Sequence, residues 1–223
     1  MLSVKLEGGG KKFQREWIFR NLNLDITVGK KTAIIGSNGS GKSDRVQLDI
    51  DSGKSTLLKC LSSQMPLTEG KLSFTQFNKN ILEEDIYKHL TISAPYLEFP
   101  EELSLKEFLN FHFRFKNLIK GIDIPQLIEI MYLENSLNKP LSYFSSGMKQ
   151  RLKLGICFFS DAPLLLLDEP TSNLDERGIK WYRDLMQKYG SEKCVLIASN
   201  DKREFDFCEN IISIEDYKLK RTL

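Results

Sequence analysis

A glycine- and serine-rich segment with one lysine follows an apolar segment early in this chain. Residues 36–43, with the sequence GSNGSGKS, match the pattern GxxxxGK[ST] and come directly after the apolar residues 32–35. In this pattern, glycines let backbone N–H groups surround the phosphates, the lysine reaches the outer phosphates, and the hydroxyl binds Mg²⁺. We therefore predict a phosphate-binding loop, with Ser43 as its metal-binding hydroxyl. The predicted loop residues are Gly36, Ser37, Asn38, Gly39, Ser40, Gly41, Lys42 and Ser43.

The end of this pattern is duplicated in the chain. The sequence SGKS occurs at residues 40–43 and again at residues 52–55. Deletion of residues 44–55 would leave GSNGSGKSTLLKCLSS, an uninterrupted loop that runs into an amphipathic helix. We therefore interpret these twelve residues as an insertion at the phosphate-binding loop.

The duplication leaves three arrangements open for the loop. The first copy retains all the loop glycines, whereas the second has Leu48 at the position of the first glycine but continues directly into a helical pattern. A hybrid, with residues 36–39 starting the loop and residues 53–55 finishing it, costs about 2 kcal/mol in loop-closure entropy. We favour the first copy and retain the second as its rival. The rival ligands are Lys54, Ser55 and Thr56, with Ser55 as the alternative metal-binding hydroxyl.

Two carboxylates follow a second apolar segment later in the chain. Residues 164–167 are four leucines, and Asp168 and Glu169 come next. A strand that ends in two carboxylates beside a phosphate loop can hold Mg²⁺ and activate water next to a γ-phosphate. We predict that Asp168 binds the metal and that Glu169 acts as the general base.

The elements that must position these residues alternate between strands and helices. Short apolar and alternating segments predict strands, and the first of these is expected to end at Gly8-Gly9-Gly10. Helical spacing dominates from about residue 103 to residue 141. We predict an α/β fold with a mostly parallel sheet and an N-terminal antiparallel β part. Residues 1–223 would form one domain, with a core of residues 1–94 and 152–223 and a helical subdomain of about residues 95–151.

Composition limits the classes of partner. The 223 residues include 32 basic and 30 acidic side chains, for a net charge of +2, which gives no general argument for nucleic-acid binding. No apolar run approaches the ~20 residues of a membrane-spanning helix. We therefore expect no nucleic acid as partner, and a separate chain for any membrane crossing.

Two further motifs resemble those of one ATPase family. Residues 144–151, FSSGMKQR, resemble the LSGGQ-type signature of ATP-binding cassette (ABC) proteins, and residues 168–175, DEPTSNLD, resemble the segment that ends their Walker B strand and forms their D-loop. The resemblance covers nearly the whole chain. It implies the P-loop NTPase fold of an ABC ATPase, with ATP and Mg²⁺ as cofactors.

The resemblance also implies partners and further site residues. Two cassettes of this family pair head to tail around ATP, as a homodimer or heterodimer, and power a separate membrane permease from its cytoplasmic face. Ser145 and Gly147 would then contact the γ-phosphate held by the other cassette. Phe13, or alternatively Trp17, would stack on the adenine.

The sequence departs from the family pattern at several positions. The signature carries Ser146 and Met148, residues 93–96 (SAPY) lack the expected Q-loop glutamine, and Asn200 occupies the position of the switch histidine. Asparagine can bind a phosphate but carries no proton near neutral pH. We predict an ABC transporter ATPase with slow turnover. The alternatives are a binding-only cassette with an active partner and a non-transport ABC ATPase.

Overall fold

The computed structural model describes residues 2–36 and 53–218. The strands in these ranges are β1 (Leu2–Phe13), β2 (Glu16–Thr27), β3 (Lys31–Ile35), β4 (Glu69–Gln76), β5 (Lys79–Asn80), β6 (Leu90–Ser93), β7 (Leu164–Asp168), β8 (Cys194–Ala198) and β9 (Asn210–Ser213). The α-helices are α1 (Gly53–Leu61), α2 (Ile86–His89), α3 (Leu105–His112), α4 (Ile124–Ile130), α5 (Ser146–Phe159) and α6 (Glu176–Tyr189). Short 3-10 helices cover Glu83–Asp85, Glu134–Ser136, Leu141–Tyr143, Lys202–Glu204 and Ile214–Tyr217.

A parallel sheet of five strands forms the centre of the molecule. Its strand order is β6-β7-β8-β3-β9, and every pair of neighbours is parallel. All residues of β7 and β8 are buried, which explains why these strands are continuous apolar runs rather than alternating ones. The predicted α/β fold with a mostly parallel sheet is confirmed.

Each face of the parallel sheet carries its own hydrophobic core. Leu165, Val195 and Ile197 point into a core that also contains side chains of α3, α4, α5 and α6. Leu166 and Leu196 point the opposite way, into a core shared with α1 and the first two strands. Side chains alternate between the faces of a strand, so a shift of one residue would exchange the two cores. The strand register is therefore strongly determined.

A smaller antiparallel sheet packs on the α1 side, with strand order β2-β1-β4-β5. The expectation that Gly8-Gly9-Gly10 ends the first strand is wrong, because β1 continues through these glycines to Phe13. The glycines instead mark irregularities in the pairing of β1 with β2, and Gly8 has a φ of 56°. Glycine adopts this conformation without steric cost, so the strand bends here without ending.

The region between β6 and β7 is helical, as its apolar spacing predicts. Ser104 and Glu107 form a reciprocal capping box at the start of α3, and Asp123 and Gln126 form another at α4. Such caps satisfy the free N–H groups of the first helical turn. The division into a core and a helical subdomain remains a prediction. Within residues 2–36 and 53–218, no helix has the length and apolarity that crossing a membrane requires.

His112, the last residue of α3, links this helix to the end of α5. Its Nε2 atom lies 3.2 Å from Oγ of Ser160, a fully buried residue that directly follows α5. Burial and the nearby Lys116 ammonium lower the pKa of His112 to about 4. The unfolded chain, with a histidine pKa near 6.5, therefore binds a proton at a pH where the folded chain does not.

This difference predicts a loss of stability as pH falls from 6.5 towards 4. The contribution of His112 should amount to roughly 2 to 3 kcal/mol in the free energy of unfolding between about pH 7.5 and about pH 4.5. Urea unfolding at both pH values measures this contribution. We expect His112→Gln to remove this part of the pH dependence of the free energy of unfolding and His89→Gln to retain it. An unchanged pH dependence in His112→Gln would contradict the assignment.

Candidate functional site

Four of the predicted site residues lie at the carboxyl edge of the parallel sheet. Gly36 follows β3, Asp168 ends β7 and is followed by Glu169, and Asn200 comes two residues after β8. The order β7-β8-β3 makes these three strand ends neighbours. Ligands of open α/β sheets bind at this edge, because the loops there diverge and leave a crevice.

Lys54 lies against the first residue of the predicted loop. Helix α1 begins at Gly53, and the Lys54 side chain is fully buried, with Nζ 3.1 Å from the carbonyl oxygen of Gly36. Ser55 is half-buried and Thr56 is buried in the same first turn. The rival ligands of the second SGKS copy are thus at the site. Outside the described residues lie the other predicted loop residues, Ser37, Asn38, Gly39, Ser40, Gly41, Lys42 and Ser43.

The charges around Lys54 have opposite effects on its proton affinity. Burial lowers the pKa of the ammonium group, whereas the carboxylates of Glu169, Asp168 and Glu215 act in the opposite direction. Burial is the larger effect, so the pKa lies below its usual value. The site therefore combines a desolvated cation with the positive end of a helix, an arrangement that favours a bound anion.

Asp168 and Glu169 differ in exposure although they are adjacent. Asp168 is 2% exposed, whereas Glu169 is exposed at the surface. Glu169 has a φ of 45°, in the left-handed region that residues other than glycine rarely adopt. Its backbone is fixed by N–H donation to Ala198 O (2.9 Å) and by acceptance from Ser172 N (3.0 Å). Local strain of this kind concentrates at functional sites.

The oxygen donors here fit a magnesium ion that is shared with phosphates. Among the described residues no cluster of three or more His, Cys, Asp or Glu could form a metal cage. Mg²⁺ usually keeps several waters and is held by one or two carboxylates together with substrate phosphates. The buried Asp168 carboxylate and the Ser55 hydroxyl supply donors of that kind.

Asn200 contacts the loop directly. Its Oδ1 atom accepts a hydrogen bond from the backbone N–H of Gly36 at 3.1 Å. Gly36 is therefore held at both its backbone groups, by Asn200 at the N–H and by Lys54 at the carbonyl. Any Cβ at Gly36 would lie 2.3 Å from Cγ2 of Ile214, so this position also requires glycine for space.

The signature residues lie at the start of α5. Ser145 caps the helix through Oγ, which accepts a hydrogen bond from Met148 N at 3.2 Å. An added Cβ at Gly147 would lie 3.2 Å from the carbonyl oxygen of Asn173, so the helix start approaches the segment after β7 closely. Both residues are accessible, Ser145 being exposed and Gly147 half-buried. Their contact with a second cassette stays a prediction.

The two candidate aromatic residues lie in different surroundings. Phe13 packs partly buried against the core on the α1 side, with Lys11 Nζ 5.3 Å from its ring centroid. The Trp17 ring instead lies near Gly10, with the Arg20 guanidinium 4.6 Å from its centroid. The adenine-stacking role of Phe13 remains a prediction.

Lysines hold the segment after β6, where the sequence lacks the Q-loop glutamine. Lys153 Nζ of α5 donates to the carbonyl oxygens of Ala94 (2.9 Å) and Pro95 (3.3 Å). Lys59 Nζ of α1 lies 4.1 Å from the ring centroid of Tyr96. The segment is thus connected to both helices by cations.

Sequence reasoning missed two buried side chains beside the site, Gln150 and Glu204. Each makes hydrogen bonds to the segment that follows Glu169. The signal was weak in both cases, because a glutamine in a basic helix and a glutamate in a charged loop normally face solvent. Their contacts join residues twenty or more positions apart.

The chain is similar in sequence to many ABC proteins. The family described as "ABC transporter" matches residues 51–172, slightly more than half of the chain. The lantibiotic transport ATP-binding protein SrtF of Streptococcus pyogenes is 30% identical over 202 residues, covering 88% of this chain and 79% of that protein. The human phospholipid-transporting ATPase ABCA3 is 27% identical over 198 residues, covering 87% of this chain, which spans only 11% of ABCA3.

Solved structures of ABC cassettes share the fold of this chain. A putative ABC transporter ATP-binding protein from Pyrococcus furiosus has a TM-score of 0.75 at 17% identity, over 97% of this chain and 99% of that one. A dimeric bacterial ABC transporter cassette has a TM-score of 0.75 at 21% identity, over 94% and 93% of the two chains. These likenesses show the fold, and the sequence match shows the family: the chain belongs to the ATP-binding proteins of ABC transporters.

Proposed function

We propose that this chain binds MgATP and hydrolyses it to power a separate membrane permease. The observation that carries the proposal is the fully buried Lys54, whose Nζ lies 3.1 Å from Gly36 O and is electrostatically coupled to Asp168 and Glu169. A desolvated lysine at a helix start, beside two strand-end carboxylates, is the arrangement that phosphoryl-transfer enzymes use.

The position of Lys54 supports it as the phosphate-binding lysine. Helix α1 begins at Gly53, so Lys54, Ser55 and Thr56 occupy the first turn, the part of a helix whose backbone N–H groups have no partner within the helix and can bind phosphate oxygens. Lys54 contributes a positive charge against the outer phosphates. The contact between Lys54 and Gly36 supports the hybrid arrangement, in which the loop starts at residues 36–39 and finishes at residues 53–55.

Hydrolysis is assigned to the residues at the ends of β7 and β8. Glu169, exposed at the edge of the sheet, accepts a proton from the attacking water. Asp168 and Ser55 hold Mg²⁺, which when bound neutralises charge on the phosphates. Asn200 orients groups near the γ-phosphate through its amide but moves no proton, and we therefore propose slow turnover.

Two copies would complete the site head to tail, as a homodimer or with another ABC ATPase. Ser145 and Gly147, accessible at the start of α5, supply donors to a γ-phosphate held by the other copy. The names of SrtF and ABCA3 both refer to transport, of lantibiotics and of phospholipids. This supports a peripheral location at the cytoplasmic face of the membrane, beside a permease.

Glu169→Gln should reduce steady-state MgATP hydrolysis by about 100- to 10,000-fold, because it removes the proton acceptor while keeping the side-chain shape. The exposed Glu192→Gln serves as the matched control and should hydrolyse at the wild-type rate. A substantial rate that survives Glu169→Gln would refute the assignment. ATP binding by the wild type without measurable turnover would favour a binding-only cassette.

Lys54→Ala should weaken MgATP binding by about 10- to 100-fold in isothermal titration, because a charge-assisted contact to phosphate is lost. Lys59→Ala is the control from the same helix, since its side chain lies over Tyr96. If the first SGKS copy is the binding loop, Lys42→Ala will instead show the larger loss.

The Glu169→Gln chain should form a dimer with MgATP, because nucleotide accumulates unhydrolysed between the two copies. Size-exclusion chromatography with light scattering should give a monomer without nucleotide and a dimer with it. Adding Lys54→Ala to this variant should abolish the change from monomer to dimer that MgATP causes. A monomer under all conditions would argue against a homodimer and for a different partner cassette.

A further inference from the structure

The segment from Pro170 to Asp175, here called the D-loop, connects the general base to helix α6. It begins directly after Glu169, so its backbone position affects the direction of the Glu169 side chain. Side chains from two other elements hold its first two residues. The proposed chemistry does not use these contacts.

The first contact comes from the signature helix α5. Gln150 is 4% exposed, and its Nε2 atom donates to the carbonyl oxygen of Pro170 at 2.6 Å. Pro170 is itself buried and has a fixed φ, so this bond holds a stiff part of the backbone. Loss of the glutamine would leave a buried carbonyl without its donor.

The second contact comes from the segment that follows Asn200. Glu204 is 3% exposed, and its Oε1 atom accepts hydrogen bonds from Thr171 N (2.7 Å) and Thr171 Oγ1 (2.5 Å). Its Oε2 atom is buried and has no hydrogen-bond partner within the described ranges. Burial raises the pKa of Glu204, whereas the nearby Ser199 hydroxyl and the hydrogen bonds from Thr171 act against that rise.

Glu204 is in turn held by a rigid element. Its backbone carbonyl accepts a hydrogen bond from the hydroxyl of Tyr182, a fully buried residue of α6, at 2.9 Å. Its backbone N–H donates to Asp201 O at 3.0 Å. A buried carboxylate is costly unless it is hydrogen-bonded. The two hydrogen bonds from Thr171 therefore favour one position of the Glu204 side chain.

We propose that Gln150 and Glu204 are positioning residues that fix the D-loop between the signature helix and the Asn200 segment, and so aim the Glu169 carboxylate. The inference rests on the proposed function, because it assigns Glu169 as the general base. A displacement of about 1 Å in a reacting group can reduce a rate by about 100-fold. The Gln150 contact also connects α5 directly to the segment that follows Glu169.

The test compares kcat and KM for MgATP hydrolysis in Gln150→Ala and Glu204→Ala. Each should lower kcat by about 10-fold and leave KM within about two-fold, because both act on the base rather than on nucleotide binding. Asp206→Ala is the matched control, since Asp206 lies two residues from Glu204 but forms an exposed ion pair with Arg183. This control should retain the wild-type kcat.

A double-mutant cycle separates positioning from a general loss of structure. In a Glu169→Gln background, Glu204→Ala should cause no further loss, because the group it positions is already absent. Glu204→Gln should retain part of the rate, since its amide oxygen can accept the same two hydrogen bonds. Should Glu204→Ala fail to fold, Thr171→Val removes one of those bonds with little change in shape and should lower kcat by about three-fold.

The outcomes distinguish this inference from the proposed function. A wild-type rate that does not depend on Glu169 would overturn both. A rate that depends on Glu169 but is unchanged in Glu204→Ala, Gln150→Ala and Thr171→Val would overturn the positioning role alone. Additive losses in the Glu169→Gln background would also overturn it.

Discussion

The arrangement of the site depends on one buried positive charge, the ammonium group of Lys54. Burying an isolated ammonium costs several kcal/mol, so the position is stable only where oxygens face it. Here these oxygens come from Gly36 at the end of β3 and from the carboxylates that end and follow β7. The parallel pairing of β7, β8 and β3 fixes the distance between Gly36 and the two carboxylates. The sheet therefore sets the electrostatics of the site.

The sheet performs this role because it is packed on both faces. The residues of β7 and β8 are fully enclosed, and their ends carry Asp168, Glu169, Ser199 and Asn200 at a common edge. Close-packed interiors deform little, so groups mounted on such strands keep their positions. A flexible loop is less suited to holding a group in a fixed position. At this edge, side chains fix the segments that follow the strands: Asn200 accepts a hydrogen bond from Gly36, and Glu204 accepts one from Thr171.

The central sheet could be predicted from the sequence more completely than the site. Apolar runs such as residues 164–167 indicate buried strands by their composition alone, and the carboxylates that follow them reach the expected edge. The glycines of β1 were misinterpreted, because a strand can pass through glycine when its partners allow an irregular register. The sequence left the two SGKS copies as rivals, because the first retains the loop glycines and the second continues into a helix. The position of Lys54 beside Gly36 depends on where α1 packs. Gln150 and Glu204 were missed for the same reason, because their roles arise from contacts between distant segments.

The two separate cores on opposite faces of the sheet have a consequence for how the protein unfolds locally. Side chains on the α1 side share few neighbours with those on the α3–α6 side, since the sheet lies between them. Cooperative units of unfolding often follow such divisions. The helices of one face can then open transiently while the sheet and α1 stay protected from amide hydrogen exchange. Opening of the helices on that face would in that case leave α1 and Lys54 in place.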